Sequence, residues 1–129
     1  MKITKKVERW FTVPQDEDGA KLLIKHLSPA ETQSIAGECS TQKFEFRGEG
    51  DEPVMIQNQN VGQLTEKLTM ASVKGWEKIY DEDGKDLPFN PRNLRKAIKG
   101  IDGFINVVSE FRSQLSEELE KEKKDQEKN

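Results

Sequence analysis

Val7-Glu8-Arg9-Trp10-Phe11-Thr12-Val13-Pro14, a polar run ending in Asp18-Gly19, and then Ala20-Lys21-Leu22-Leu23-Ile24-Lys25-His26-Leu27 decide how this chain begins to fold. The first segment is rich in β-branched and aromatic residues and closes on a proline, which reads as a strand running into a hairpin. The Asp-Gly pair suits the turn, because both residues tolerate a positive φ. In the returning segment Leu22 and Ile24 fall on one face and Leu23 and Leu27 on the other. A strand with apolar residues on both faces is expected to be covered on both sides.

Working outward, Ser28-Pro29-Ala30-Glu31 carries a serine N-cap, a proline at the first helical position and a glutamate placed to reach back to the cap amide. A short helix is predicted to about Ala36, stopped by Gly37. Lys43-Phe44-Glu45-Phe46-Arg47 alternates polar and aromatic residues and is predicted to add a strand to the same sheet, with a loop over Gly48-Glu49-Gly50-Asp51-Glu52-Pro53 after it. Val61, Leu64, Leu68 and Ala71 recur at helical spacing. Val73 to Tyr80 reads as extended, with Trp76 and Tyr80 as anchors and Gly75 as a kink or bulge, and Asp81-Glu82-Asp83-Gly84 as a turn.

Asn90-Pro91 repeats the cap-and-proline start and opens a helix to about Lys99, ended by Gly100. Asp102 is placed to cap a long last helix whose apolar stripe is Phe104, Ile105, Val108, Phe111, Leu115 and Leu119. From Lys121 on only charged and amide side chains remain, so that end is expected to fray. The expected fold is α+β: a small N-terminal antiparallel sheet packed with C-terminal helices. The reading gives one domain over 1–119 and a charged, disordered tail over 120–129.

A chain of 129 residues supports one core. Charged residues (35%) outnumber hydrophobic ones (33%), and the formal net charge is −3, which argues against general affinity for nucleic acid or an anionic membrane. Cys39, the single cysteine, has no partner for an internal disulfide. No apolar run is long enough for a membrane span or signal peptide, so the expected location is cytoplasmic.

The two Asp-Gly turns fail the calcium-loop pattern at both ends. With Gly84 as the sixth position, the first and twelfth are Ile79 and Asn90; with Gly19 they are Pro14 and Lys25. His26 is the only histidine, and neither it nor Cys39 has the neighbours a nucleophile or zinc site needs. With 24 acidic residues spread along the chain and no phosphate-cradling glycine loop, the expectation is no enzyme, no metal and no cofactor. Arg92, Arg95, Lys96 and Lys99 form a basic helical cluster. It reads as a solvated face or a site for an acidic protein, with a small nucleic-acid-binding regulator as the disfavoured alternative. Aromatic side chains are core by default, but in so polar a chain some are expected on an association patch. The partner-binding candidates are Trp76, Tyr80, Phe89, Arg92, Arg95, Phe104 and Phe111, and the last helix is a candidate for self-association.

The stretch from Val73-Lys74-Gly75-Trp76 through Tyr80-Asp81-Glu82-Asp83-Gly84 and Leu87-Pro88-Phe89-Asn90-Pro91-Arg92-Asn93-Leu94 resembles the tail assembly chaperones of long-tailed bacteriophages. In both, a tryptophan is followed by an Asp-Gly turn, a Leu-Pro dipeptide and a Pro-X-Asn helix start. Trp10-Phe11-Thr12-Val13-Pro14, the Asp18-Gly19 turn and Leu27-Ser28-Pro29-Ala30-Glu31 extend the likeness, as does the charged C-terminus. The resemblance implies a non-enzymatic phage or prophage protein of the host cytoplasm. Its partners would be the tape measure protein and the tail tube protein during tail assembly.

Overall fold

The computed structural model describes residues 1, 6–45, 48, 50 and 52–127. In chain order the elements are β1 (Glu8–Thr12), β2 (Lys21–Lys25), α1 (Pro29–Glu38), β3 (Ser40–Glu45), β4 (Val54–Gln59), α2 (Val61–Ser72), β5 (Val73–Glu77), α3 (Pro91–Gly100) and α4 (Phe104–Glu127). This is an α+β fold. The chain divides into two compact units: Met1–Leu27 with Thr69–Asn129, and Ser28–Leu68.

In the first unit β1 and β2 pair antiparallel, from Glu8 opposite Lys25 to Thr12 opposite Lys21. Beyond the strands the Val13 amide donates to the Ala20 carbonyl at 2.8 Å. The Asp16 carboxylate closes the connection by accepting from the Ala20 amide at 2.8 Å, and Gly19 turns the chain at φ +70°. β5 joins the other edge of β2 antiparallel, giving the order β1-β2-β5. Leu23 lies opposite Gly75 and Ile24 opposite Val73, so Lys74 is an extra residue on β5, a bulge beside the predicted glycine.

Leu22, Ile24, Val73 and Trp76 of this sheet share a core with Leu94 and Ala97 of α3 and with Phe104, Val108, Phe111 and Leu115 of α4. The last four sit at helical spacing on one face, as the sequence stripe requires. The Phe11 and Phe111 rings stack at 4.9 Å and 15°. Ile105 and Leu119 of the expected stripe are half-buried. The first helical bond of α4 runs from the Val107 amide to the Gly103 carbonyl, with Gly103 at φ +76°, so the cap position is Gly103 and not the expected Asp102. The charged end expected to fray and lie disordered from 120 continues as helix to Glu127. Arg9 of β1 reaches Glu118 at 2.7 Å and Glu122 at 2.8 Å, an anchor that an apolar pattern does not reveal. The last two tail residues, Lys128 and Asn129, lie outside the described residues.

In the second unit α1 has the expected capping box. The Glu31 amide donates to Ser28 Oγ at 3.2 Å and the Ser28 amide to Glu31 Oε1 at 3.3 Å. The helix passes through Gly37 and ends at Glu38. β3 does not join the N-terminal sheet as expected: it pairs antiparallel with β4, from Ser40 opposite Gln59 to Glu45 opposite Val54, in a separate two-stranded sheet. The β4 sequence Val-Met-Ile-Gln-Asn-Gln ends in a run of amide side chains that carries a weak strand signal, so the local partner of β3 is not evident from the sequence. Of the expected strand Phe46 and Arg47, and of the expected loop Glu49 and Asp51, lie outside the described residues. The Asn60 carboxamide accepts from the Gln63 amide at 3.0 Å and so caps α2. The buried residues of α2, Thr69 and Ser72, fall in its last turn, which belongs to the first unit, while Val61, the first residue of the helical spacing read from the sequence, is exposed.

Candidate protein-interaction surface

The segment after β5 is built backwards from Trp76. Its indole Nε1–H donates to the Leu87 carbonyl at 2.7 Å, satisfying the one polar atom of a buried ring. Lys78 takes a positive φ of 61°, and the chain folds back with the Leu87 amide donating to the Ile79 carbonyl at 2.9 Å. Between them the Asp81 carboxylate accepts from the Asp83 and Lys85 amides, each at 2.9 Å, and Gly84 turns at φ +78°. The acidic turn is therefore held by its own backbone amides. The start of α3 is tied to it: the Asn93 side chain donates to the Pro88 carbonyl at 2.8 Å, and the Asn90 carboxamide accepts from the Asn93 amide at 2.8 Å.

This scaffold presents Tyr80 and Ile101, each 37% exposed, on the surface. They border two clefts. One, about 350 Å³, lies between the β1–β2 connection, Lys78 to Tyr80 and the start of α4. The other, about 280 Å³, lies between the acidic turn and the end of α3. Apolar side chains on a ridge between two clefts, rimmed by Asp18, Glu82 and Lys96, have the arrangement of a partly apolar docking surface. Lys96 binds Glu82 at 3.3 Å. A hydrogen bond from its own backbone, then one from Lys96, holds the Glu82 carboxyl below its ordinary range.

The candidates named from sequence separate here. Trp76, Phe104 and Phe111 are buried and are removed as exposed contacts. Trp76 instead meets Phe89 edge-on at 5.1 Å and Phe104 at 6.5 Å. Tyr80 and Phe89 are exposed, as are Arg92 and Arg95 on the face of α3 opposite Leu94 and Ala97. Sequence reasoning missed Ile101, whose signal is an isolated apolar residue directly after a helix-ending glycine. It also left Trp10 out of the partner set. Trp10 is 50% exposed on the other face of the sheet, opposite Leu23, and its ring edge lies close to Gly75, where a Cβ would stand 3.7 Å from it.

His26 is half-buried and its amide donates to the Val7 carbonyl at 2.8 Å; Cys39 is a buried free thiol. Among the described residues no group of three or more His, Cys, Asp or Glu is placed to hold a metal ion, and no helix is long and apolar enough to cross a membrane. No protein-family model, curated protein or solved structure matches this chain.

Proposed function

We propose that this chain is a protein-binding assembly factor of the phage tail assembly chaperone type, which holds tape measure and tail tube proteins while the tail is built. The observation that carries the reading is the exposed pair Tyr80 and Ile101, which lines both clefts, because Tyr80 lies on the segment that bears the resemblance and Ile101 follows the helix that this segment opens. The Trp, Asp-Gly, Leu-Pro and Pro-X-Asn features of that segment act as one device. Trp76 pins Leu87, Asp81 closes the turn, and Asn93 ties the helix start to Pro88. They stiffen a surface instead of shaping a reactive site, and a rigid apolar surface loses less conformational entropy when a client docks. A long helical client with an apolar stripe is kept from aggregating by a partner that covers the stripe and binds the soluble form. The alternative, nucleic-acid binding through α3, has less support, since Lys96 is held by Glu82 within an acidic turn.

Co-expression with the tape measure protein of the same genome tests the proposal. The expected result is soluble client and a complex that co-elutes on gel filtration. The double change Tyr80→Ser with Ile101→Ser, at exposed positions, is expected to abolish both while leaving the circular dichroism spectrum unchanged. Client that stays insoluble at good expression of both chains overturns the reading.

A further inference from the structure

We propose that the cleft between the end of β2 and the middle of α4 binds a tetrahedral oxyanion, a phosphate group being the chemistry its donors fit. The cleft is about 380 Å³ and lies within the first unit. Ser109, Ser113 and Ser116 line it from α4, at the four- and three-residue spacing that puts three hydroxyls on one helix face. Lys25 and His26 line it from the strand end, and Arg112 stands among the serines. Every polar side chain of the lining except that of the exposed Glu117 can donate.

Arg112 gives the arrangement its direction. Its side chain is half-buried, and among the described residues it has no ion pair or hydrogen bond. Burial alone pushes its guanidinium below the ordinary range, with no carboxylate acting in the other direction. A cation stripped of part of its water and given no counter-charge is unfavourable, and a bound anion removes that penalty. The planar guanidinium fork takes two oxygens of one ligand. A tetrahedral group then has further oxygens, out of the plane of the fork, to accept from the serine hydroxyls, whereas a planar carboxylate offers only the two oxygens that the fork already engages.

The full chain, isotope-labelled, is titrated with inorganic phosphate against sodium chloride at matched ionic strength and followed by amide chemical shifts. The expected result is saturable shifts confined to residues 25–27 and 109–117. Arg112→Met is expected to weaken binding by at least about tenfold, the usual size of a lost charged hydrogen bond. Ser113→Ala and Ser116→Ala, at exposed positions, are expected to weaken it several-fold and keep the test open if the arginine variant fails to fold. Glycerol phosphate run alongside distinguishes a phosphomonoester from the free ion; saturable binding of either supports the site. Shifts that only follow ionic strength, an undiminished response in all three variants, or acetate binding as tightly as phosphate overturns it.

Discussion

The two compact units hold themselves together in different ways. In the first, Leu22, Ile24, Val73, Leu94, Val108 and Leu115 are each at most 2% exposed, and rings from strands and helices interlock around them. In Ser28–Leu68, Cys39 is the one buried apolar side chain among the described side chains, which leave out residues 42–47, 49, 51, 55 and 57, and α1 buries none. What that unit has is local bonding: the Ser28 capping box, the Asn60 cap and the Lys67–Glu38 pair at 3.1 Å. Burying a Leu, Val or Ile side chain contributes about 1.5–3 kcal/mol, a net hydrogen bond about 1 kcal/mol and an exposed ion pair less. The difference places the stability of the molecule in the unit that carries the candidate surface. The second unit is expected to open locally at lower cost.

The largest effect that sharpens this contrast is Leu115→Ala. The side chain is fully buried, so its truncation removes transfer energy and leaves a void, for a loss of roughly 2–5 kcal/mol. Urea unfolding followed by tryptophan fluorescence reads the first unit alone, because Trp10 and Trp76 both belong to it. A loss below about 1 kcal/mol, the cost of an average substitution, would mean that the helix face is not packed as described.

Next in size is Ser28→Ala, which removes the side-chain half of the capping box and costs about 1 kcal/mol. The expected outcome is faster amide exchange across Pro29–Glu38 with the fluorescence midpoint unmoved. If the midpoint falls with the exchange protection, the two units unfold as one, and the contrast between them is structural without being energetic.

Much of the first unit was legible in the sequence because its signals are local or periodic. The hairpin turn at Gly19, the bulge beside Gly75, the cap at Asn90 and the stripe Phe104, Val108, Phe111, Leu115 follow from φ tolerance, side-chain donors and helical spacing. The second unit was read less well. Its cap is a local motif and is legible, but β4 is amide-rich and has no strong strand signature, so its pairing with β3 is not. At the candidate surface, aromatic identity alone cannot say which ring is buried. Trp76 and Phe104 lie in the core, Tyr80 and Phe89 reach solvent, and Ile101 does so without being aromatic. The grouping of Arg112 with His26 depends on a strand end meeting a helix far along the chain, which no spacing encodes.

The smallest expected effect concerns the end of α4, where the first unit depends on the kind of bonding that characterises the second. Past Leu119 the helix has no apolar stripe, and a charged helical end without packing is marginal in water. Glu118 and Glu122 stand one turn apart, and both meet the Arg9 guanidinium on the edge strand, so one cation fastens two successive turns to the sheet. Glu122 first and then Glu118, by hydrogen bonding, push the Arg9 guanidinium further above its ordinary value. A raised value means that this contribution is fully present below the ordinary arginine range and is lost only as the pH climbs through the folded one. Arginine therefore remains charged throughout the usual working range, and acid can break the clamp only by protonating the carboxylates. All three groups are substantially exposed, so salt screens them, with a Debye length of about 3 Å at 1 M. Arg9→Gln is expected to leave the urea midpoint unchanged and to speed amide exchange over residues 119–127. Wild-type protein at about 1 M sodium chloride should reproduce that pattern, because screening over so short a length weakens the same clamp. Exchange that is indifferent to both would transfer the cause to contacts along the helix itself, where Glu117 stands four residues before Lys121 and Glu120 four before Lys124, the favourable order for such pairs.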